Sequence, residues 1–506
     1  MDSDAIFLGI DFGTGGCKVT AVSETGVPLG EAASEYATEF ARPGWAEQNP
    51  ADWYASLCGS LKKLREKGVD FRRIRAVAFD GSTHNAVLLD DAMRPVRKTI
   101  MWTDQRSTEE CEELRRGCGE RIFKVAYQMP APTWTLPQMM WLKKHEPEVL
   151  KKTRHVLFVK DYVRYLVTGR AATDSIEAQG TLFWDMEKQD WSDELLNLAG
   201  LNRSALPEPI GPADAAGKVT ARAAAETGIP EGTPVVCGTS DSAAEDYGAG
   251  AVNPGDCIVK LATAGNVNVM TAEPHPSPTT LTYSHVIPGM WYTVSATNAA
   301  ALCQRWFRDA FCQAEKTEAQ RLGVNAFELM DRLAESSVPG AGGVMFHPYL
   351  QGERSPYWDP KLRAGFAGVS ISSGKGDFIR ALLEGVAYSL RDCFGAIEAM
   401  NLPVSRIFLI GGGARSRVWS EIVCNVFDLP LRVPTPGDAS FGTALIAATG
   451  AGAFPDSRTA VEKCLRLDRE LRPDPELAAF YREGFKTYRE IHDALAPVYQ
   501  KTTICK

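Results

Sequence analysis

Residues 8–20 read LGIDFGTGGCKVT, and residues 257–269, in the second half of the chain, read CIVKLATAGNVNV. Each stretch is an apolar strand, a tight turn of small residues and a second apolar strand, which predicts a β-hairpin. Glycine in such a turn lets the backbone approach a ligand closely and aim its N–H groups at an anion. Two such hairpins, one in each half, predict two domains that hold opposite sides of one phosphorylated ligand.

The size and composition of the chain limit the class of protein. Its 506 residues are too many for one ordinary hydrophobic core, and 44% hydrophobic with 23% charged residues is typical of a globular protein. The net charge of −8 argues against a general nucleic-acid binder. No apolar run approaches the roughly 20 residues that a membrane helix needs, and the acidic N-terminus does not resemble a secretory signal. We therefore expect a cytoplasmic protein that binds a small molecule, with neither a membrane nor a nucleic acid as partner.

Cysteine and histidine usage gives little sign of a metal centre. The 12 cysteines are scattered and form no CxxC pair, so we expect reduced, mostly buried thiols. The 7 histidines do not cluster, which argues against a zinc site held by the protein alone. The sequence leaves a homodimer open, because periodicity cannot distinguish a helix at a dimer contact from a buried one.

The hydrophobic pattern predicts the same α/β plan in both halves, with the junction near residues 248–255 and domains of 1–250 and 251–506. The first half is predicted to contain a three-stranded meander over 6–35, a helix over 50–67, a strand over 74–79, a mostly helical region over 105–200 and a strand over 235–237. The second half is predicted to contain a hairpin over 257–270, a strand over 291–295, a helix over 299–311 and a strand over 406–410. Since no disordered linker separates the halves, we expect a cleft that closes by hinge motion.

Asp11 ends the first strand, beside the proposed phosphate turn. A carboxylate there would repel a phosphate unless Mg²⁺ lay between them, which predicts a role in organising the metal. The alternative interpretation is an aspartate that caps its own turn.

Asp241 stands at the end of a buried strand and the start of a predicted helix, within the stretch CGTSDSAAE of residues 237–245. A carboxylate at that point of an open α/β sheet faces the ligand and can accept a proton from an attacking alcohol. The alternative is that Asp241 or Ser240 only caps the helix.

Two further kinds of motif indicate ligand binding. The glycines of residues 411–413 join a strand to a helix, where an anionic or flat ligand can approach the backbone. They match neither the GxGxxG nor the P-loop spacing. The stretches PGWAEQ at 43–48 and MWTDQR at 101–106 combine tryptophan with carboxylates and amides, which is the composition of a polyol-binding site.

Taken in order, these motifs resemble the FGGY family of carbohydrate kinases, and within it the pentulose kinases of xylulokinase type. The resemblance covers nearly the whole chain through GIDFGTGGCK, PGWAEQNP, THN, WTDQR, KDYVRYLVTGRAATD, GTSDSAAE, LATAG, YLQGERSPYWDP, AGFAGVSIS with DFIRALLEG, and IGGGARSRVWSEI. It implies the two-domain α/β fold of the actin/hexokinase/Hsp70 (ribonuclease H-like) superfamily, with ATP, Mg²⁺ and an open-chain ketose meeting in the interdomain cleft. The implied reaction is ATP-dependent phosphorylation of a primary hydroxyl of a ketopentose, most simply xylulose.

The resemblance also implies site residues. Asp241 would be the catalytic base and Asp11 the metal ligand. The implied sugar-binding residues are Thr83, His84, Trp102, Asp104, Asp241 and Ser242. The implied ATP-binding residues are Thr14, Gly15, Gly16, Lys18, Thr263, Gly265, Gly412, Gly413, Ala414 and Ser416.

The chain departs from the family pattern mainly around the sugar. Gln138 stands where the family's first signature has lysine, and residues 82–85 read STHN where xylulokinase-like members often have QMHG. Ser242 follows the catalytic aspartate where asparagine is common, and Gly15, Ala262 and Ala264 occupy turn positions that are often Ser or Gly. The sequence therefore leaves open D-xylulose, L-xylulose, ribulose and four- or six-carbon polyols as substrates. A nucleotide-switched binding protein and a catalytically inactive sugar sensor are the competing functions.

Overall fold

Two mixed β-sheets organise the protein, one in each half of the chain, and the computed structural model describes residues 5–501. The strands of the first half are β1 (Ile6–Gly13), β2 (Gly16–Ser23), β3 (Pro28–Glu35), β4 (Glu47–Gln48), β5 (Ile74–Gly81), β6 (Ala86–Leu89), β7 (Thr99–Ile100), β8 (His155–Phe158), β9 (Ala172–Asp174), β10 (Trp184–Asp185), β11 (Asp190–Trp191), β12 (Glu208–Ile210), β13 (Ala215–Lys218) and β14 (Pro234–Ser240). Its helices are α1 (Pro50–Glu66), α2 (Thr108–Ala126), α3 (Thr135–His145), α4 (Pro147–Lys152), α5 (Val159–Thr168), α6 (Ser175–Gln179), α7 (Asp193–Ala199), α8 (Ala221–Thr227) and α9 (Asp241–Gly248).

The second half has fewer strands and longer helices. Its strands are β15 (Asp256–Leu261), β16 (Gly265–Thr271), β17 (Leu281–Ser284), β18 (Trp291–Thr297), β19 (Met345–His347), β20 (Gly365–Ala367), β21 (Arg406–Ile410), β22 (Leu431–Pro434) and β23 (Leu467–Leu471). Its helices are α10 (Ala301–Phe311), α11 (Gln313–Leu322), α12 (Ala326–Glu335), α13 (Lys375–Glu398), α14 (Arg417–Phe427), α15 (Ala439–Gly450), α16 (Ser457–Cys464) and α17 (Pro475–Lys501).

The two sheets share one central arrangement, which confirms the predicted hairpins. The first sheet has the order β13-β14-β5-β1-β2-β3, and the second has the order β17-β18-β16-β15-β21-β22-β23. In the first, β1 pairs antiparallel with β2 and parallel with β5. In the second, β15 pairs antiparallel with β16 and parallel with β21. Each hairpin turn therefore lies beside the carboxyl end of a parallel neighbour, where open α/β sheets bind their ligands.

Helices α9 and α15 pack between the two sheets and join them through one hydrophobic cluster. The cluster combines Phe7 and Ala78 of the first sheet with Ile258 and Phe408 of the second, through buried residues of both helices. The helices cross closely at Gly442 of α15, which has no side chain. A Cβ at this position would lie 2.0 Å from the carbonyl oxygen of Ala244 in α9. The two halves thus share part of their core.

Polar contacts fix the start of α15 to the first sheet. The hydroxyls of Thr20 and Ser440 are 2.7 Å apart, and Thr443 donates a hydrogen bond of 2.5 Å to Asp80 at the end of β5. Buried polar groups that find partners in this way specify one register between packed elements. Helix α15, from the second half, therefore packs directly against the strands of the first hairpin.

The cysteines of residues 5–501 are all free, and every one of them except Cys58 and Cys118 is buried. Cys505 lies outside the described residues. Within residues 5–501, no helix has both the length and the hydropathy needed to cross a bilayer.

The close crossing of α9 and α15 predicts opposite effects for two glycine substitutions. Gly442→Ala should lower the free energy of unfolding by about 1–3 kcal/mol, because its Cβ would overlap the α9 backbone. Gly395→Ala, within α13, should raise it by about 0.5–1 kcal/mol, because nothing lies within 4 Å of the added Cβ and alanine favours the helix. Thermal and urea denaturation of both variants measure this, and equal effects would contradict the close crossing.

Candidate active site

The first hairpin turn, at residues 14 and 15, is exposed at the end of β1 and β2. Its carbonyl oxygens accept hydrogen bonds from the surrounding domain: Gln48 Nε2 donates to Thr14 at 2.8 Å and Tyr36 N donates to Gly15 at 3.2 Å. Among the hydrogen bonds described for residues 5–501, none is donated by the N–H groups of Thr14 or Gly15. The turn can therefore offer backbone donors to an anion.

The second turn, residues 262–264, is held by the start of α10 and the residue before it. The N–H of Ala301 donates to the Ala262 carbonyl at 2.7 Å, and that of Ala300 donates to the Thr263 carbonyl at 3.0 Å. Arg305 Nη2 donates to the exposed Thr263 hydroxyl at 2.6 Å. Gly265 begins β16 and is buried. This turn matches the first in construction and likewise faces solvent.

The glycine-rich turn after β21 packs directly against the second hairpin. A Cβ on Gly413 would lie 2.8 Å from the Cβ of Leu261, whereas one on Gly412 would meet nothing within 4 Å. Ser416 then caps α14 by accepting a hydrogen bond of 3.2 Å from Trp419 N. Of the residues predicted to bind ATP, Gly413 therefore packs against the strand that leads into the second turn and Gly412 has open space beside it. Ala414 follows them in the same turn, and Ser416 is the cap of α14.

Asp241 is the first residue of α9, and its cap is Ser240, whose hydroxyl accepts from Ala243 N at 3.4 Å. Three hydrogen bonds reach Asp241 Oδ1: from Ser242 N at 2.7 Å, from the Ser242 hydroxyl at 3.3 Å and from the Thr83 hydroxyl at 3.4 Å. Burial raises the pKa of Asp241 above its ordinary value, against the lowering effect of Lys260. Ser240 therefore serves as the cap of α9, while Ser242 and Thr83 hold the half-buried carboxylate of Asp241.

The turn of residues 82–85 follows β5 and lies next to Asp241; because the family resemblance assigns sugar binding to it, it is called the sugar turn below. His84 adopts a left-handed conformation with φ of 55°, and its ring lies 4.8 Å from that of Trp134. Burial lowers the pKa of His84 to about 3, so the imidazole is neutral. Asn85 Nδ2 donates to the carbonyl of Ser82 at 2.7 Å, which closes the turn on itself.

Trp102 connects the sugar turn with the first hairpin turn. Its backbone N–H donates to Asn85 Oδ1 at 2.5 Å, and its indole N–H lies 3.3 Å from the Thr14 hydroxyl. The side chain is 37% exposed, so a ring face remains available to a ligand. The structure thus brings Thr83, His84 and Trp102 together around Asp241 and the first turn.

Asp104 and Lys18 are placed differently from the other predicted ligand-binding residues. Asp104 is fully buried, and its carboxylate accepts from Ala46 N at 2.6 Å and from three nitrogens of Arg106 at 2.8–2.9 Å. It can affect a sugar only by holding the neighbouring segment of Trp102. Lys18 forms ion pairs of 2.8 Å with Asp438 and with Glu31, so its charge is already matched.

Asp11 lies beside Asp80 of the parallel neighbour β5. Burial raises the pKa of Asp11 to about 7 and that of Asp80 well above its ordinary value. Oδ1 of each is buried without a hydrogen-bond partner. No cluster of three or more His, Cys, Asp or Glu able to hold a metal occurs in residues 5–501. Mg²⁺ bound with a nucleotide needs only one or two carboxylates, so these two oxygens fit it.

Sequence reasoning missed the ion pair between Lys260 of β15 and Glu245 of α9. Glu245 lies one helical turn beyond Asp241 in α9. The Lys260 ammonium group, from the second half of the chain, therefore lies against the face of α9 that carries Asp241. Lys260 is also the largest favourable charge acting on Asp241. The available signal was a lysine inside an otherwise apolar strand.

Comparisons with known proteins show the family of the chain. Residues 6–248 and 259–451 match the models of the N-terminal and C-terminal domains of the FGGY family of carbohydrate kinases. The chain is 30% identical over 491 residues to a xylulose kinase of Lactococcus lactis, covering 96% of each protein. It is 28% identical over 478 residues to a gluconokinase of Bacillus subtilis, covering 94% of this chain and 93% of that protein.

A solved structure is similar throughout. The xylulose kinase from Rhodospirillum rubrum superposes with a TM-score of 0.88 at 28% identity, covering 98% of this chain and 100% of that one. The predicted actin/hexokinase-like fold is thereby confirmed. Because residues 6–248 and 259–451 match the two domain models in order, the chain is a carbohydrate kinase that belongs to the FGGY family.

Proposed function

We propose that this kinase transfers the γ-phosphoryl group of ATP to a primary hydroxyl of a ketopentose of the xylulose type, with Asp241 as the catalytic base. The observation that supports this most directly is the fixed carboxylate of Asp241. Its Oδ1 accepts all three described hydrogen bonds, including the one from Thr83 in the sugar turn. Oδ2 is left to accept the substrate hydroxyl, which is the geometry that general-base catalysis requires.

Asp241 would orient the sugar oxygen for in-line attack and take its proton. An aspartate remains a far weaker base than an alkoxide, so the proton would move late, as suits a loose phosphoryl-transfer transition state. Positioning and charge neutralisation then supply most of the rate enhancement. The two hairpin turns, with Thr14, Gly15, Gly16, Thr263 and Gly265, would hold the phosphates by backbone N–H groups. The turn of Gly412, Gly413 and Ala414 would hold adenosine.

Asp11 and Asp80 would hold Mg²⁺ beside the first turn, because their unpartnered oxygens lie on adjacent strands. Bound there, the ion would neutralise charge on the phosphates during transfer. We further propose that residues 1–250 bind the sugar, that residues 251–506 bind ATP, and that the protein acts in the cytoplasm, where free cysteines such as these stay reduced.

The charges around Asp241 favour a neutral sugar over a sugar acid. The lysines closest to the carboxylates, Lys260 and Lys18, are already paired with Glu245 and Asp438, and His84 is uncharged. A substrate carboxylate would therefore find no free cation among these groups and would be repelled by Asp241. The relatedness to a gluconokinase keeps gluconate as the second candidate.

Replacement of the proposed base should stop the reaction without preventing nucleotide binding. Asp241→Asn keeps the size of the side chain but not its basicity, so we expect kcat to fall by at least about 100-fold. The dissociation constant of ATP, measured by calorimetry, should stay within about threefold of the wild-type value, since the phosphate turns are untouched. Asp456→Asn, at the start of α16 and away from the cleft, is the matched control and should leave kcat unchanged. Turnover of Asp241→Asn near the wild-type rate would exclude the role.

A substrate panel tests the sugar. We expect ADP release to depend on sugar and kcat/KM to be highest for a xylulose or another neutral pentulose, ahead of gluconate and glycerol, because the cleft offers no unpaired lysine among those described. A coupled assay of ADP formation measures it. Preference for gluconate would favour the second candidate, and slow hydrolysis independent of any sugar would contradict the kinase mechanism proposed here.

A further inference from the structure

A buried carboxyl group that the proposed mechanism does not use holds the backbone of the sugar turn. Glu177 of α6 is 1% exposed, and its Oε1 accepts a hydrogen bond of 2.6 Å from the backbone N–H of His84. The His84 carbonyl accepts one of 2.7 Å from the Thr135 hydroxyl. Both backbone polar groups of His84 are therefore held by side chains.

His84 needs this support because its backbone is left-handed. A φ of 55° in a residue with a Cβ costs about 1 kcal/mol and persists only where the surroundings impose it. The conformation matters for the preceding residue, Thr83, because its hydroxyl reaches Asp241 Oδ1 at 3.4 Å. A relaxed His84 would move Thr83 and the inner surface of the turn.

Glu177 is itself fixed to the strand that carries Asp241. Asp174 caps α6 by accepting from Ile176 N at 3.0 Å and Glu177 N at 3.2 Å. The same oxygen of Asp174 accepts from the hydroxyl of Thr239 in β14 at 2.9 Å, two residues before Asp241. Lys160 completes the network with an ion pair of 2.8 Å to Asp174. One buried network therefore sets the position of both Glu177 and Asp241.

The end of α6 also touches the turn directly. A Cβ on Gly180 would lie 2.7 Å from Thr83 Cγ2 and 3.0 Å from His84 Cδ2. The turn thus rests on α6 at two points, one polar at Glu177 and one steric at Gly180.

We propose that Glu177 is a positioning residue for the sugar: it holds His84 in the left-handed conformation and so keeps Thr83 directed at Asp241. This inference rests on the proposed function, because it assumes that the turn of residues 82–85 contacts the sugar. Glu177 acts through His84 and touches no substrate.

The test compares Glu177→Ala and Glu177→Gln with the wild-type protein. The readouts are the calorimetric dissociation constants of D-xylulose and of ATP, the KM values for the two substrates, and Tm. Burial raises the pKa of Glu177 well above its ordinary value, so the neutral Gln side chain is its nearest substitute and keeps an oxygen for His84 N–H. We expect Glu177→Ala to weaken the binding of D-xylulose about five- to tenfold and to leave its dissociation constant for ATP within about twofold of wild type. Glu177→Gln should keep both dissociation constants within about twofold of wild type.

Glu384→Ala is the matched control for a purely structural effect. Glu384 is 3% exposed and accepts from the N–H of Gly340 at 3.0 Å, at a residue whose φ is 84°, but it lies in α13 of the second half. We expect it to lower Tm without changing sugar binding. If sugar binding fell equally in Glu384→Ala and Glu177→Ala, or stayed unchanged in Glu177→Ala, the inference would be overturned.

If Glu177→Ala does not fold, Gly180→Ala takes its place, because its Cβ would displace Thr83 and the His84 ring while the carboxyl group of Glu177 is kept. Weaker sugar binding in Gly180→Ala with unchanged ATP binding supports the inference, and unchanged sugar binding overturns it. Absence of phosphorylation by the wild type with every sugar counts against the proposed function, whereas the ratio of variant to wild-type sugar affinity judges Glu177 alone.

Discussion

The arrangement of the cleft depends on the crossing of α9 and α15 between the two sheets. Gly442 brings the α15 backbone against the carbonyl of Ala244, at a distance that any side chain at that position would prevent. The N-terminus of α9 carries Asp241, and the start of α15 carries Asp438, the partner of Lys18. Since both helices start at the cleft and share one apolar cluster behind it, the close backbone contact fixes two charged groups relative to each other.

Charge balance is the second constraint on this cleft. Carboxyl groups of Asp11, Asp80, Asp241, Glu245 and Asp438 act on one another there, and burial adds to the cost of ionising most of them. Lys260 forms an ion pair with Glu245, and Lys18 forms one with Asp438. In the proposed function, a divalent ion beside Asp11 and Asp80 would favour the ionised forms of both carboxyl groups and would in turn attract phosphate.

The sequence was sufficient for features whose cause is local. The hairpins at 14–15 and 262–264 follow from small residues between apolar strands, and Asp241 follows a buried strand directly, so their positions could be predicted. The short strands β6 and β8 were not predicted, because each pairs with the other across a long stretch of sequence. The roles of Glu177, Lys260 and Asp80 could not be predicted for the same reason, since each depends on contacts between separate elements. Asp104 shows the converse, because its sequence context suggested a ligand whereas Arg106 takes up its carboxylate.

The shared cluster around α9 and α15 restricts how such an enzyme can change during evolution. Exchanging one half for that of a distant relative would disturb the packing of this shared cluster, so substitutions in one half are constrained by the other. The sugar turn, in contrast, is four residues long and is held mainly by α6 and by Thr135 at the start of α3. New substrate preferences are therefore expected to arise by point substitution in that turn and in α6, while the helices joining the sheets stay as they are.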